Sequence, residues 1–237
     1  MTLNGKTVLI LGGSSGFGLE IARQAAAEGA RLVIAGRDGA KAARVGAELG
    51  AHLAVGLDAT DPAALEALLT RTGPVDHAVS MIGGAMGGGF LSADMATIRQ
   101  AIEEKFFANL QIARVLAPHL AQGGSLTLTA GSGGRPDNAS GAIIGNEGIA
   151  TLVRGLAVEL APKVRANAVA PTWTPTPLWR GMSPAEVEEV RTRFAKQIPL
   201  GRTADPAEVA MAYLFLMRCG FVTGQTVTVD GGLTLVQ

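Results

Sequence analysis

The sequence of 237 residues predicts an α/β fold, a doubly wound parallel sheet of about seven strands with helices on both faces, a three-layer sandwich. Three observations predict it. Short apolar runs alternate with longer amphipathic segments along the whole chain. The runs are apolar at consecutive positions, which suits strands covered on both sides. The first run ends in a glycine-rich turn that leads directly into a helical segment.

Strands are expected at Thr7–Leu11 (TVLIL), Arg31–Ala35, Ala51–Leu57, Val75–Met81 and Ser125–Thr129. A sixth ends at Pro171 and a seventh covers Thr226–Val229. Helix signatures lie between them. Gly16–Glu28 is one. Asp61-Pro62 opens another, with a side-chain cap followed by proline at the first helical position. Asp94–Gln122 reads as one long helix interrupted late by Pro118. Ser140–Leu160 is apolar at helical spacing through Ile144, Ile149, Leu152, Val153, Leu156 and Leu160. Ser183-Pro184 and Asp205-Pro206 start two more helices. Pro171–Gly181 carries three prolines and two tryptophans, the composition of a loop that covers something.

Composition narrows the function classes. Apolar residues make up 48%, enough for a sizeable core in one domain over residues 1–237. Twenty basic and 20 acidic residues balance, which argues against nucleic acid or an anionic membrane as the main partner. The single cysteine, Cys219, excludes an internal disulfide and fits a reducing compartment. His52, His77 and His119 lack metal-ligand spacing, so no metal is expected. Residues 1–11 have no targeting layout, and the longest uncharged stretch, His77–Ala93, is short and broken by glycines. A cytoplasmic protein is expected.

The first turn, Gly12-Gly13-Ser14-Ser15-Gly16-Phe17-Gly18, lets backbone N–H groups and a helix N-terminus face an anion. Its glycines at 12, 16 and 18 do not follow the G-x-G-x-x-G spacing. After the second strand come Gly36 and Arg37, a small residue and a guanidinium where an acid would select a free ribose hydroxyl. Arg37 also reads as a solvated charge, and Asp38 as the cap of the next helix.

The G-x-x-x-G-x-G turn after an N-terminal strand resembles the short-chain dehydrogenase/reductase family. Leu57–Asp61 (LDATD), Leu156–Pro162 (LAVELAP), Arg165–Pro171 (RANAVAP), Ile198–Arg202 (IPLGR) and Thr223–Gly232 (TGQTVTVDGG) extend the likeness over nearly the whole chain. The resemblance implies a Rossmann-type sheet and a nicotinamide dinucleotide, with NADP(H) favoured over NAD(H) by Arg37. It implies that Gly12, Ser14, Ser15, Gly16, Phe17 and Gly18 hold the diphosphate and that Asp58 and Ala59 face the adenine. Gly83 would lie by the adenosine ribose, with Pro171 and Thr176 near the nicotinamide. It also implies a small-molecule substrate and a homo-oligomer, tetramer or dimer. Leu11 departs from the family's threonine, and Ser80-Met81-Ile82-Gly83 from its Asn-Asn-Ala-Gly.

The catalytic positions depart further. Alignment on Leu156–Leu160 puts Ala142 where the family carries tyrosine and Asn146 where it carries lysine. The one tyrosine, Tyr213, lies in the apolar run Met211–Met217 and reads as core. The family's helix asparagine falls on Lys105 or, one turn later, on Asn109. With Lys105, lysine and asparagine have exchanged places, and an ammonium reaches the pocket from another helix. Otherwise Lys105 is a surface lysine beside Glu103 and Glu104. The family's serine falls on Ala130 or Gly131, so Ser132 is the candidate hydroxyl, unless it only satisfies the local turn. Trp173 and Trp179 read equally as pocket lining or as a lid packed on its own helix. The expected activity is NADP(H)-dependent interconversion of a carbonyl and an alcohol on an apolar small molecule, with Lys105, Ser132 and Asn146 as the rebuilt catalytic group. The alternatives are a dinucleotide-binding sensor without turnover and a lyase or isomerase on the same fold.

Overall fold

Consecutive apolar residues become strands because alternate side chains leave a strand on opposite faces and both faces here are covered. The computed structural model describes residues 2–84 and 87–237. Met1, and Ala85 and Met86 within the His77–Ala93 stretch, lie outside the described residues. The strands are β1 (Thr7–Leu11), β2 (Arg31–Gly36), β3 (Leu53–Gly56), β4 (Val75–Ser80), β5 (Leu120–Thr129), β6 (Val164–Pro171) and β7 (Thr226–Val229). They form one parallel sheet in the order β3-β2-β1-β4-β5-β6-β7. The chain reverses direction across the sheet between β1 and β4, where a doubly wound sheet opens a crevice at its carboxyl edge.

The helices are α1 (Gly16–Ala27), α2 (Gly39–Leu49), α3 (Pro62–Thr72), α4 (Met95–Ile102), α5 (Ala108–Leu116), α6 (Ser140–Glu159), α7 (Pro184–Gln197) and α8 (Pro206–Arg218). Strand β1 shows how they share the sheet. Leu9 and Leu11 point to the layer of α3, α5 and α6, among Leu65, Leu69, Ile112, Ile149 and Val153. Val8 and Ile10 point to the opposite layer, with Ile21 of α1, Val45 of α2 and Val209 and Leu214 of α8. The caps fall where local chemistry puts them. Asp38 Oδ1 accepts from the Lys41 N–H at 2.9 Å, and Asp61 Oδ1 from the N–H of Ala63 and Ala64. Ser183 with Glu186 and Asp205 with Glu208 form capping boxes. Among the described residues no helix is long and apolar enough to cross a membrane.

The long helix expected at Asp94–Gln122 is not continuous. After α4 the chain opens into a π-turn at Glu103–Phe107, resumes as α5, and closes with one 3-10 turn at Ala117–His119. Pro118 has no N–H to continue the ladder, and β5 begins at Leu120, five residues before the expected Ser125. Strand β3 is shorter than Ala51–Leu57 at both ends. Tyr213 is core, as expected. It is wholly buried, its hydroxyl lies 2.8 Å from Thr129 Oγ1, and burial pushes its phenol far above the ordinary range.

His77 of β4 gives the fold an acid-sensitive point. Its Nδ1 lies 2.9 Å from Ser125 Oγ, and burial pushes its pKa down from 6.5 to about 4. Between those values the unfolded chain takes up a proton that the folded chain refuses, so stability falls as pH falls through that window. Urea unfolding at pH 7.5 and pH 4.5 should show a loss of about 2 kcal/mol from this residue. The loss should disappear in His77→Gln. An equal loss in that variant would assign the acid sensitivity elsewhere.

Candidate active site

The glycine turn after β1 is built around absent side chains. Gly12 and Gly16 have φ of +90° and +54°, which glycine adopts without strain. A Cβ on Gly18 would stand 2.2 Å from the Gly12 carbonyl oxygen, so the first turn of α1 lies directly against the loop. Ser15 caps α1 in an extended conformation without a side-chain bond, which leaves the first helical N–H groups open to an anion. The Ser14 hydroxyl faces Gly36 at the end of β2, 3.0 Å from where a Cβ would be. The side chain of Phe17 packs on the α1–α8 side of the core.

The other residues picked from sequence lie on segments after β2, β3 and β6. Arg37 is exposed beyond β2. Asp58 accepts from the backbone N–H and hydroxyl of Thr60 at 2.9 and 2.7 Å; these bonds, and then the charge of Arg37, hold its carboxyl below the usual range. Ala59 is buried in the core. Asp38 is committed to capping α2. Pro171 ends β6, and from there the flap runs to Thr176, whose Cβ comes within 3.5 Å of a Cβ built on Gly16. The flap therefore touches the glycine turn. Its tryptophans pack on one another and on α7. Trp173 stacks on Phe194 at 5.6 Å, lies 5.9 Å from Trp179, and is 8% exposed. This is the lid arrangement.

Lys105 sits in the π-turn, and its side chain runs inward. The residue is 7% exposed, and Nζ donates to the Ala130 carbonyl at 3.4 Å. Two glycines make the slot. A Cβ on Gly83 (φ +128°) would lie 2.5 Å from Lys105 Cδ and 2.9 Å from Nζ; one on Gly145 of α6 would lie 2.8 Å from Lys105 Cβ. Burial pushes the ammonium pKa down from 10.5 to about 8. Lys105 is thus not a surface lysine. Asn109, the competing assignment, is wholly buried and structural. Its Oδ1 accepts from Ser80 Oγ at 2.7 Å, and its Nδ2 donates to the carbonyls of Ile82 (3.1 Å) and Lys105 (2.7 Å). It ties the π-turn to the end of β4.

Asn146, on α6, reaches the same place from the other side. Its Nδ2 lies 2.8 Å from a Cβ built on Gly131. Ser132 donates its N–H to the Pro171 carbonyl at 2.9 Å, while its hydroxyl is shut off from solvent and has no hydrogen-bond partner. The Thr172 hydroxyl is in the same condition. Among the described residues no three His, Cys, Asp or Glu side chains gather as a metal site. His52 contacts Arg31, and His119 Nε2 lies 2.8 Å from Glu66 Oε1.

Comparison with known proteins agrees with this geometry. A family model described as enoyl-(acyl carrier protein) reductase matches residues 12–234, from the glycine turn to the C-terminal segment. Galactitol 2-dehydrogenase (L-tagatose-forming) of Cereibacter sphaeroides is 35% identical, over 98% of this chain and 96% of its own length. The chain belongs to the short-chain dehydrogenase/reductase family. L-xylulose reductase of Bos taurus, another relative in this family, is 31% identical over 98% of each chain. A solved small-chain dehydrogenase in complex with NADPH superposes with a TM-score of 0.85 at 30% identity, covering 98% of this chain and 100% of that one.

Within this short-chain dehydrogenase/reductase the sequence pointed to Lys105, Asn146 and Gly83, but not to the part that Gly131 and Gly145 play in admitting the two polar side chains. Gly131 and Gly145 have ordinary φ and sit in no turn motif. Nothing local marks them, because their neighbours come from distant parts of the chain.

Proposed function

We propose that the protein is an NADP(H)-dependent oxidoreductase that interconverts a carbonyl and an alcohol, with Lys105 as the proton-transfer group. The observation that carries the reading is the buried Lys105 ammonium, held beside Gly83 with the Ala130 carbonyl as its hydrogen-bond partner. The crevice fits a dinucleotide. Side chains at 12 and 18 would collide with Met81 Cβ (2.8 Å) and the Gly12 carbonyl oxygen (2.2 Å), so glycines there let the loop close on α1, whose N-terminus is left open. Gly12, Ser14, Ser15, Gly16, Phe17 and Gly18 would hold the diphosphate. Arg37 would face a 2′-phosphate, Asp58 and Ala59 the adenine, Gly83 the ribose, and Pro171 and Thr176 the nicotinamide. When bound, the reduced nicotinamide supplies a hydride, and with it two electrons, to the carbonyl carbon. Lys105 gives its proton to the carbonyl oxygen as negative charge develops there, and the neutral amine takes a proton back from solvent. In the reverse direction the neutral amine accepts the alcohol proton. The names of the relatives, dehydrogenases and reductases, support the reaction class.

The test is direct. NADPH oxidation is followed with 9,10-phenanthrenequinone, acetophenone, benzaldehyde, cyclohexanone and diacetyl, beside fluorescence titration with NADPH and NADH. Turnover of one carbonyl with tighter binding of NADPH is expected. Binding without turnover would favour the sensor or lyase readings. Arg37→Glu should raise the NADPH Kd by at least about tenfold and leave NADH little changed. Equal effects on both would remove Arg37 from a 2′-phosphate subsite.

A further inference from the structure

The space beside residue 131 is taken by a side chain from another element. Its φ lies outside the left-handed region, so the backbone does not require glycine there. What fills the space is the end of the Asn146 side chain, whose Nδ2 lies 2.8 Å from the absent Cβ and would have to turn aside for any larger residue. That carboxamide is half-buried, takes part in no hydrogen bond with the described residues and is not closed off from solvent, so it is free to meet a ligand. The two polar side chains stand against adjacent residues of one segment. Ala130 holds the Lys105 ammonium and Gly131 admits Asn146; on α6, Gly145 packs on the Lys105 stem and Asn146 follows it. The nearby Ser132 hydroxyl is closed off from solvent, which leaves the amide as the open donor.

From this geometry we infer that the Asn146 carboxamide donates a hydrogen bond to the substrate carbonyl oxygen, completing with Lys105 a two-donor subsite for developing negative charge. The inference rests on the hydride-transfer reading above. Such donors act by being fixed in place before charge appears, in a site with little water to compete. The ammonium gives up its proton during the reaction, and the amide N–H remains to hold the oxygen.

The test uses Asn146→Ala, Asn146→Asp and the double variant Asn146→Ala/Gly131→Ser, with NADPH and whichever of the five carbonyls turns over fastest. Asn146→Ala should lower kcat about 10²-fold with the NADPH Kd changed less than about twofold. The double variant should recover at least about tenfold, because a serine hydroxyl at 131 points into the vacated volume. Asn146→Asp should lose kcat and raise the pH midpoint of reduction by about one unit, because a carboxylate there favours the charged ammonium. This isosteric variant gives the answer if the alanine does not fold. A kcat within about threefold of wild type in Asn146→Ala, or an unmoved midpoint in Asn146→Asp, overturns the proposal and leaves the Lys105 reading standing. A wild-type protein that binds NADPH but reduces none of the carbonyls removes both.

Discussion

Lys105→Met should lower carbonyl reduction by about 10²–10⁴-fold, the ordinary worth of a positioned general acid. The wild-type pH dependence should carry the signature of the same group. With its pKa pushed down to about 8, the ammonium is the donor below that value, so reduction slows as pH rises through it. Oxidation of the alcohol needs the neutral amine and should rise through the same midpoint. Stability should move in the opposite sense to activity. The unfolded lysine titrates near 10.5 and the folded one near 8, so the folded protein is penalised wherever the ammonium stays charged in its slot. Removing the charge with methionine, which keeps the length of the stem, should raise stability at pH 7 by on the order of 3 kcal/mol. Urea unfolding of the two proteins at pH 7 and pH 10.5 measures this, with the gain shrinking at the higher pH. A lysine present only to stabilise the fold would show the reverse, a Lys105→Met protein that is less stable and just as active.

The second large effect falls on the glycine turn. Gly18→Ala places a methyl group 2.2 Å from the Gly12 carbonyl oxygen, which is backbone and cannot rotate away. Either α1 moves off the loop or the loop moves off the sheet, and in both cases the N–H groups aimed at a diphosphate are displaced. NADPH affinity should fall by at least about 100-fold, with a stability loss of about 1–3 kcal/mol from overpacking. Gly155→Ala, on the exposed side of α6 where the nearest contact is Glu159 Oε1 at 4.0 Å, is the control and should bind NADPH as wild type does. Fluorescence titration of both variants decides it. Gly18→Ala with near-normal affinity would mean that the dinucleotide does not sit on this turn, and the functional reading would go with it.

Strands such as β1 and β2 were legible because they are contiguous apolar runs, and β1 is Thr7–Leu11 in both readings. The helix starts at Pro62, Pro184 and Pro206 were legible because a cap and a proline act within one turn of the chain. The error at Asp94–Gln122 has the same root. Amphipathic periodicity persists through a π-turn, and the side-chain bonds beside it join Asn109 to the Lys105 carbonyl, to Ser80 at the end of β4 and to the Ile82 carbonyl just beyond it. No local pattern could announce it.

For this protein the sequence by itself determined the doubly wound sheet, the glycine-rich turn at the start of α1 and the absence of any tyrosine outside one apolar run, since each depends on residues within a few positions of one another. Tertiary structure alone decided that Lys105 points inward, that Asn109 is a tie and not a reactant, and that Asn146 meets Gly131. Those outcomes hang on which atoms from β4, β5 and α6 are brought side by side, and on the water that burial then removes from one ammonium group.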